Sequence, residues 1–326
     1  MLVLSAADML RALSMADAIA AVRKAFVELA SGTALVPPRL HVDLIPHEGT
    51  AFFMPGYLGQ ADALAIKTVT VHRKNPERGL PAIHGAVLLI DPATGRPLSL
   101  MEGAALTALR TGAASGLATD LLARKDATEA AIFGAGAQAR TQLLAINAVR
   151  KLQRVRIHAR RPQSVDELIA ELQPRMNGVQ LVPEADPVAA LRDADIVCAA
   201  TTSHTPVFHG ADLKRGAHIN GVGSYTPQMQ EVGTVTLRRA SKIVADTREG
   251  AMAEAGDLIL GIERGAIRAS DIIALGEIVN GARPGRERDD EITFFKSVGH
   301  AALDVAAAQA AYTKAKELGL GTRVSL

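Results

Sequence analysis

The chain has no tryptophan, and aromatic residues make up 3% of its 326 residues. Stacking platforms of the kind that hold single-stranded nucleic acid are therefore missing. A single cysteine, Cys198, excludes an internal disulfide and suits a reducing cytoplasm. The formal net charge is +2 and no basic run stands out, so neither nucleic acid nor a membrane surface is an expected partner. No uninterrupted apolar run approaches the ~18 residues that a membrane span needs. The opening MLVLSAADMLRALSM lacks a charged start and a small-residue cleavage site, and reads as a strand and a helix, not a signal peptide. HExxH and clustered Cys/His ligands are absent, so no metal is assigned. GxSxG and a paired Cys/His are absent too, and no covalent nucleophile is assigned. His204, His209 and His218 are placed in loops and read as structural. Cys198 is read as a packed thiol.

What is present describes a globular protein large enough for two domains, with 48% hydrophobic and 21% charged residues. Residues 1–30 read as a strand and an amphipathic helix, with Asp8 or Ser14 as caps. Residues 36–100 are β-rich, with alternating runs at Leu40–Ile45, Leu64–Val71 and Gly85–Ile90. Turn signals fall at Pro37-Pro38, Pro55-Gly56, Asn75-Pro76 and Asp91-Pro92. Small residues mark a helix at about 101–125. From 128 to 246, apolar runs at 130–133, 154–158, 179–182, 196–200 and 217–222 alternate with helical segments, the mark of a parallel sheet with crossover helices. Residues 247–318 read as mostly helical. The alternating region begins in mid-chain, so the β-rich part before it is expected to form a domain of its own.

Within that region, 130-AAIFGAGAQARTQL-143 runs from an apolar strand through Gly134-x-Gly136-x-x-Ala139 into a helix. This is the dinucleotide fingerprint with alanine in its third position. Gly134 permits the tight turn, Gly136 lets the backbone approach a pyrophosphate, and the helix N-terminus offers free N–H groups. Glycines punctuate many turns, but here the strand, the helix and the following βα units supply the confirming context. The next strand reads 155-VRIHARRPQS-164, with Arg160 and Arg161 where an NAD binder carries an acid for the ribose hydroxyl. Two guanidiniums suit a 2′-phosphate, so NADP(H) is expected ahead of NAD(H), the alternative being a pair of solvated arginines.

Three cations stand outside any charge run. Lys67, in 64-LAIKTVTV-71, shares a strand face with Ala65, Val69 and Val71. Such a lysine either snorkels at a sheet edge or points into a cavity with an anionic partner. Arg39 follows Pro37-Pro38. Arg110 precedes Thr111-Gly112, a pair that can end or pinch a helix near a ligand. Each arginine alone is more often a surface ion pair. Beside a nicotinamide, the three together would bind a carboxylate.

These pieces match one family. The whole chain resembles the ornithine cyclodeaminase/μ-crystallin family through 37-PPR-39, 66-IKTVTVH-72, 80-LPAIHGAVLLIDPATGRPLSLMEGAALTALRTGAASGLA-118, 132-IFGAGAQA-139, 217-AHINGVGSYTP-227 and 294-FFKSVGHAALD-304. The resemblance implies an α/β protein, a homodimer. A Rossmann-type, doubly wound dinucleotide-binding domain at 116–299 is inserted into an α+β substrate and dimerisation domain formed by 1–115 plus 300–326. It implies that Arg39, Lys67 and Arg110 hold the substrate, with Lys67 and Arg110 at the reacting centre. It implies a cofactor bordered by Arg110 and Thr111, by Gly134, Gly136, Ala137 and Gln138, and by Ala159, Arg160 and Arg161. Thr201, Thr202, Gly221, Val222, Gly223, Ser224, Ser297 and Gly299 complete that border.

One position departs from the family pattern. Cyclodeaminases and the related alanine dehydrogenases carry an aspartate in the loop after the NxxG turn, and aligning 220-NGVGSYTP-227 puts Tyr225 there. A carboxylate can manage protons on an attacking amine or water, which a phenol does poorly at neutral pH. With Arg160 favouring a cofactor that arrives as NADPH and leaves oxidised, the expectation is a reductase of cyclic imino acids. Its substrates would be Δ1-pyrroline-2-carboxylate, giving proline, and Δ1-piperideine-2-carboxylate, giving pipecolate. Ornithine cyclodeaminase, an amino-acid dehydrogenase and a non-catalytic NADP(H)-dependent ligand carrier are the alternatives.

Overall fold

A computed structural model describes residues 1–325. They form two compact units: Met1–Arg110 with the chain from Ala301 onward, and Thr111–His300 between them in sequence. The division falls inside the helix Gly103–Leu122. Among the described residues, no helix is long and apolar enough to cross a membrane.

The first unit contains β1 (Leu2–Leu4), β2 (Ala34–Leu35), β3 (Leu40–Leu44), β4 (Gly49–Leu58), β5 (Ala63–His72), β6 (Ile83–Ile90) and β7 (Pro97–Glu102). The sheet runs β1, β7, β6, β5, β4, β2, with Thr322–Arg323 beside β1 and β3 also paired with β4. Only β1 and β7 pair in parallel; the other pairs run antiparallel. Helices Met15–Ser31 and Ala301–Glu317 pack on each other, and the second also covers β4 and β5. Ser14 caps the helix Met15–Ser31. The cap of Ala6–Ala12 is Ser5, not Asp8: Asp8 is its partner in a reciprocal capping box.

The turn expected at Pro55-Gly56 is instead the middle of β4. β3 pairs with Gly49–Phe53 and β2 with Tyr57–Leu58. Pro55 sits in the gap between those pairings, where a residue without an N–H disturbs the sheet least. Gly56 is explained by packing: a Cβ there would come 3.0 Å from Val305 and 3.4 Å from the Ala301 side chain. The first eight residues of Ala301–Glu317 are all buried, and their small side chains let that helix lie close to the sheet.

The second unit is a parallel sheet of β8 (Glu129–Phe133), β9 (Arg154–His158), β10 (Gln180–Pro183), β11 (Ile196–Ala199), β12 (His218–Gly221), β13 (Lys242–Ala245), β14 (Ile272–Ala274) and β15 (Thr293–Lys296). Its order is β10-β9-β8-β11-β12-β15-β13-β14. Ala130 and Ile132 pack into one apolar cluster, Ala131 and Phe133 into another, so β8 is covered on both faces. The stretch expected to be mostly helical, 247–318, therefore holds two strands, and β15 lies between β12 and β13 with all four residues buried. Strand order reverses at β8, because the chain runs outward to β9 and β10 and then returns to β11 on the other side. That reversal is where doubly wound sheets take their ligands.

Candidate active site

In the first unit, Lys67 lies on β5, an interior strand, so the snorkelling alternative is removed. Its register partners are Met54 and Val87, both buried on the same face. The Lys67 side chain is 2% exposed, and its ammonium pairs at 2.8 Å with Asp304 Oδ2. Asp304 belongs to the first turn of Ala301–Glu317, where the helix N-terminus also favours a negative charge. Its other oxygen, Oδ1, accepts from Arg110 Nε at 2.8 Å. Burial, then Arg110 and Arg39, push the Lys67 ammonium down to about 8 against the opposing pull of Asp304. Burial alone would raise the Asp304 carboxyl, but Arg110 and Lys67 outweigh it and hold it below the usual range. Arg39, half-buried ahead of β3, reaches Lys67 through its charge. Two buried cations thus meet one buried carboxylate. Asp304 was missed in the sequence because an acid in the first turn of an Ala-rich helix is ordinary, and its partners lie far away in the chain.

The helix carrying Arg110 neither ends nor pinches at Thr111-Gly112; it continues to Leu122. Thr111 is buried, and Gly112 is small because a Cβ would lie 2.7 Å from the Thr141 carbonyl oxygen.

In the second unit all strands are parallel, so the loops that leave their C-terminal ends share one edge. Gly134–Gly136, Ala159–Arg161, Thr201–Thr202, Val222–Ser224 and Ser297–Gly299 all belong to such loops, and Ala137 and Gln138 open the helix that follows the first of them. Gly134 has φ +108°, and its N–H donates to the His158 carbonyl at 2.8 Å. A Cβ on it would fall 2.4 Å from the Ala200 carbonyl oxygen, so this turn admits only glycine. Gly136 is different. Its φ of −83° suits any residue, and a Cβ would meet nothing within 4 Å. Internal packing therefore gives no reason for a glycine, whereas close approach of a ligand does. Gly136 is also the N-cap of Ala137–Val149 without a side-chain hydrogen bond, which leaves the first-turn N–H groups to a ligand. These features fit a dinucleotide pyrophosphate. Arg160 and Arg161 are exposed after β9, and neither forms an ion pair among the described residues.

The other loops fit less simply. The N–H groups of Thr201, Gly223 and Ser224 all donate to the Glu231 carboxylate. Asp246 Oδ2 accepts from Ser297 Oγ and from the N–H groups of Val298 and Gly299. Gly221 is small because the Phe294 ring would lie 2.9 Å from its Cβ. So these donors are engaged within the chain, and any cofactor contact there runs through carbonyls or side chains. Thr202 is exposed, Val222 is buried, and Tyr225 is 36% exposed in the loop after β12. His218 lies in β12, not in a loop. Its Nδ1 is 2.9 Å from Thr293 Oγ1 and its Nε2 3.2 Å from Asn220 Oδ1, and burial pushes it down to about 3. Burial pushes the Cys198 thiol well up, as expected of a packed residue.

Residues 1–319 match the model of the ornithine cyclodeaminase/mu-crystallin family. A Delta(1)-pyrroline-2-carboxylate reductase of Bacillus cereus is 39% identical over 325 residues, covering 99% of each chain. The solved Thermococcus litoralis Delta(1)-pyrroline-2-carboxylate reductase, in complex with NADH and L-proline, is 42% identical with a TM-score of 0.94. That match covers 99% of this chain and 100% of the other. An archaeal alanine dehydrogenase dimer with bound NAD is 33% identical with a TM-score of 0.91, over 99% of this chain and 98% of that one.

Proposed function

The chain belongs to the ornithine cyclodeaminase/mu-crystallin family, and from that premise we propose that it reduces a cyclic imino acid with NAD(P)H. Δ1-pyrroline-2-carboxylate would give L-proline, and Δ1-piperideine-2-carboxylate would give L-pipecolate. One observation carries the reading: the buried group Lys67–Asp304–Arg110, in which positive charge exceeds negative. A substrate carboxylate restores the balance, and likeness over the full length to two pyrroline-2-carboxylate reductases supports that choice of anion.

A bound reduced nicotinamide supplies a hydride to the imine carbon. The chain's own residues do the rest. Lys67 and Arg110, joined by Arg39, hold the carboxylate, and Asp304 fixes the directions of the first two. Orientation of this kind accounts for much of an enzymatic rate. A ring imine brings its nitrogen already in place, so no residue has to activate an amine or a water. With that hydride on carbon and the proton already on nitrogen retained, the imine would become an amine. Tyr225, read as standing where the cyclodeaminases keep a carboxylate, agrees with this lighter demand.

Arg160 and Arg161 favour NADP(H), with NAD(H) as the second cofactor. A homodimer is proposed as well, since Leu35, Leu40, Val42 and Ile45 leave an apolar stripe exposed along β2, β3 and the turn that follows. The single cysteine is consistent with a cytoplasmic protein. The test of function is to incubate the protein with NADPH and, separately, cyclic imines, ornithine, and pyruvate plus ammonia. NADPH consumption with the imines alone is expected. Proline formed from ornithine without net cofactor turnover would overturn the proposal.

A further inference from the structure

A second group of buried charges lies behind the loops that leave β11 and β12. Glu231, Asp257 and Lys296 are each 0% exposed. Lys296 closes β15, and Asp257 sits in the first turn of the helix Gly256–Glu263. Lys296 Nζ and Asp257 Oδ2 meet at 2.8 Å as charges, not along a hydrogen-bond direction. Asp257 Oδ1 accepts the N–H groups of Glu231 at 2.6 Å and Val232 at 2.9 Å. Glu231 then reaches both loops. Its Oε1 accepts from the Thr201 N–H at 2.5 Å and the Thr201 hydroxyl at 2.7 Å. Its Oε2 accepts from the N–H groups of Gly223 at 2.6 Å and Ser224 at 3.0 Å.

The loops pinned in this way also abut the glycine turn. A Cβ on Gly134 would lie 2.4 Å from the Ala200 oxygen, and one on Gly223 would lie 2.0 Å from the Thr201 oxygen. Gly134, Thr201 and Gly223 therefore form one close-packed row, with the Glu231 carboxylate holding two of its three members. In a doubly wound sheet the dinucleotide straddles the switch point. The adenosine half lies toward the second strand, here β9, and the nicotinamide half toward the strands on the other side, here β11 and β12. The loops that Glu231 holds thus lie on the nicotinamide side of that switch point.

We propose that Glu231 is a positioning residue for the nicotinamide half of the bound dinucleotide, acting through Thr201, Gly223 and Ser224, with Asp257 and Lys296 holding it in place. The proposal rests on the reading of a dinucleotide at Gly134–Ala139. A carboxylate is suited to the task because four donors converge on its two oxygens. A glutamine in its place keeps one acceptor oxygen and turns an NH₂ group against the donors of one loop, releasing that loop.

The test is binding, measured by titration on the full-length protein with NADPH and with 2′,5′-ADP, which lacks the nicotinamide half. Glu231→Gln should weaken NADPH by about tenfold or more, the scale of a lost charge-assisted bond, and leave 2′,5′-ADP within about twofold. Circular dichroism and a melting curve establish that the variant is folded. If Glu231→Gln does not fold, Asp257→Asn, which keeps the acceptor for the Glu231 N–H, should give the same selective loss on a smaller scale. Unchanged binding of both ligands, or equal loss of both, would overturn the proposal and leave Glu231 a general stabiliser. Failure of the unmodified protein to bind NADPH, NADH or 2′,5′-ADP is a distinct result, because it removes the dinucleotide reading and this inference with it.

Discussion

Each unit buries a cluster of charges, and the two clusters are built in opposite ways. In the first unit one carboxylate, Asp304, faces two side-chain cations, Lys67 and Arg110. In the second, two carboxylates, Glu231 and Asp257, share one cation, Lys296, and most of their oxygens take backbone N–H groups. Burial is nearly complete in both, so burial alone does not mark a ligand site. The sign of the excess charge, and whether backbone donors meet it, distinguishes the two. In the second cluster three of the four carboxylate oxygens take donors from the chain itself, while Asp257 Oδ2 and Lys296 Nζ meet only as opposite charges. In the first, Lys67 and Arg110 face the single carboxylate of Asp304, an excess of one positive charge within the group. A buried uncompensated charge costs several kcal/mol, which a bound anion recovers.

The sharpest way to break this comparison is to remove the lysine from each cluster. Lys296→Met leaves two buried carboxylates without their cation, and removing one partner of a buried pair costs ~3–5 kcal/mol. A large drop in the thermal midpoint is expected. Lys67→Met leaves the neutral pair Arg110–Asp304, so the melting point should hold or rise, while kcat/KM for the imine falls by ~10²-fold or more through lost orientation. NADPH binding should be unaffected by Lys67→Met. Equal destabilisation by the two substitutions would show that the clusters do not differ in the way described.

The second prediction uses pH. Lys67 titrates at about 8 in the free protein, and kcat/KM reports free-enzyme groups. As pH rises through about 8 the ammonium loses its charge, the carboxylate loses a partner, and kcat/KM should fall. Asp304 is a group that raises this value, so Asp304→Asn should move the alkaline limb toward neutrality as well as lowering the plateau. Lys67→Arg should remove the limb, because a guanidinium stays charged throughout. The imine's own titration is common to all three enzymes. A limb in the same place in all of them would therefore belong to the substrate.

The sequence made half of this contrast legible. A lysine in an apolar row of period two was visible as Lys67, and the strand–glycine–helix pattern of 130–143 located the dinucleotide turn. The strand β4 was hidden by Pro55-Gly56, which reads as a turn and is in fact a gap in edge pairing beside a close helix. β15 was hidden because four residues ending in lysine carry little strand signal amid helices, and only its central place in the sheet makes Lys296 buried. The acids were the least visible. Asp304 lies 194 residues from Arg110, and Glu231 and Asp257 act through backbone donors that no side-chain pattern encodes.

The third prediction concerns a charge outside both clusters. Arg160→Asp exchanges an exposed guanidinium for a carboxylate beside the expected 2′-phosphate. Charge-assisted bonds of about 1.5–3 kcal/mol are at stake, so the NADPH-to-NADH affinity ratio should fall by ~10–100-fold or reverse. Titration of both cofactors against both proteins measures it. Equal affinities in the unmodified protein would mean that Arg160 and Arg161 face only solvent.

The smallest effect is expected at Tyr225, an exposed phenol belonging to neither cluster. If its side chain only fills the place of a carboxylate, Tyr225→Phe leaves imine reduction within a few-fold of normal. If the phenol delivers the proton, the loss should approach the ~10²–10⁴-fold of a positioned general acid. The first outcome is expected, because an imine that enters protonated needs only a hydride and a held carboxylate, and the latter is the work of Lys67 and Arg110. Tyr225→Asp adds a negative charge without the rest of an amine site. It should weaken imine reduction and yield at most traces of cyclodeamination from ornithine. Robust cyclodeamination by the unmodified protein would place Tyr225 elsewhere than at the carboxylate position, and the case against ornithine as substrate would fall with it.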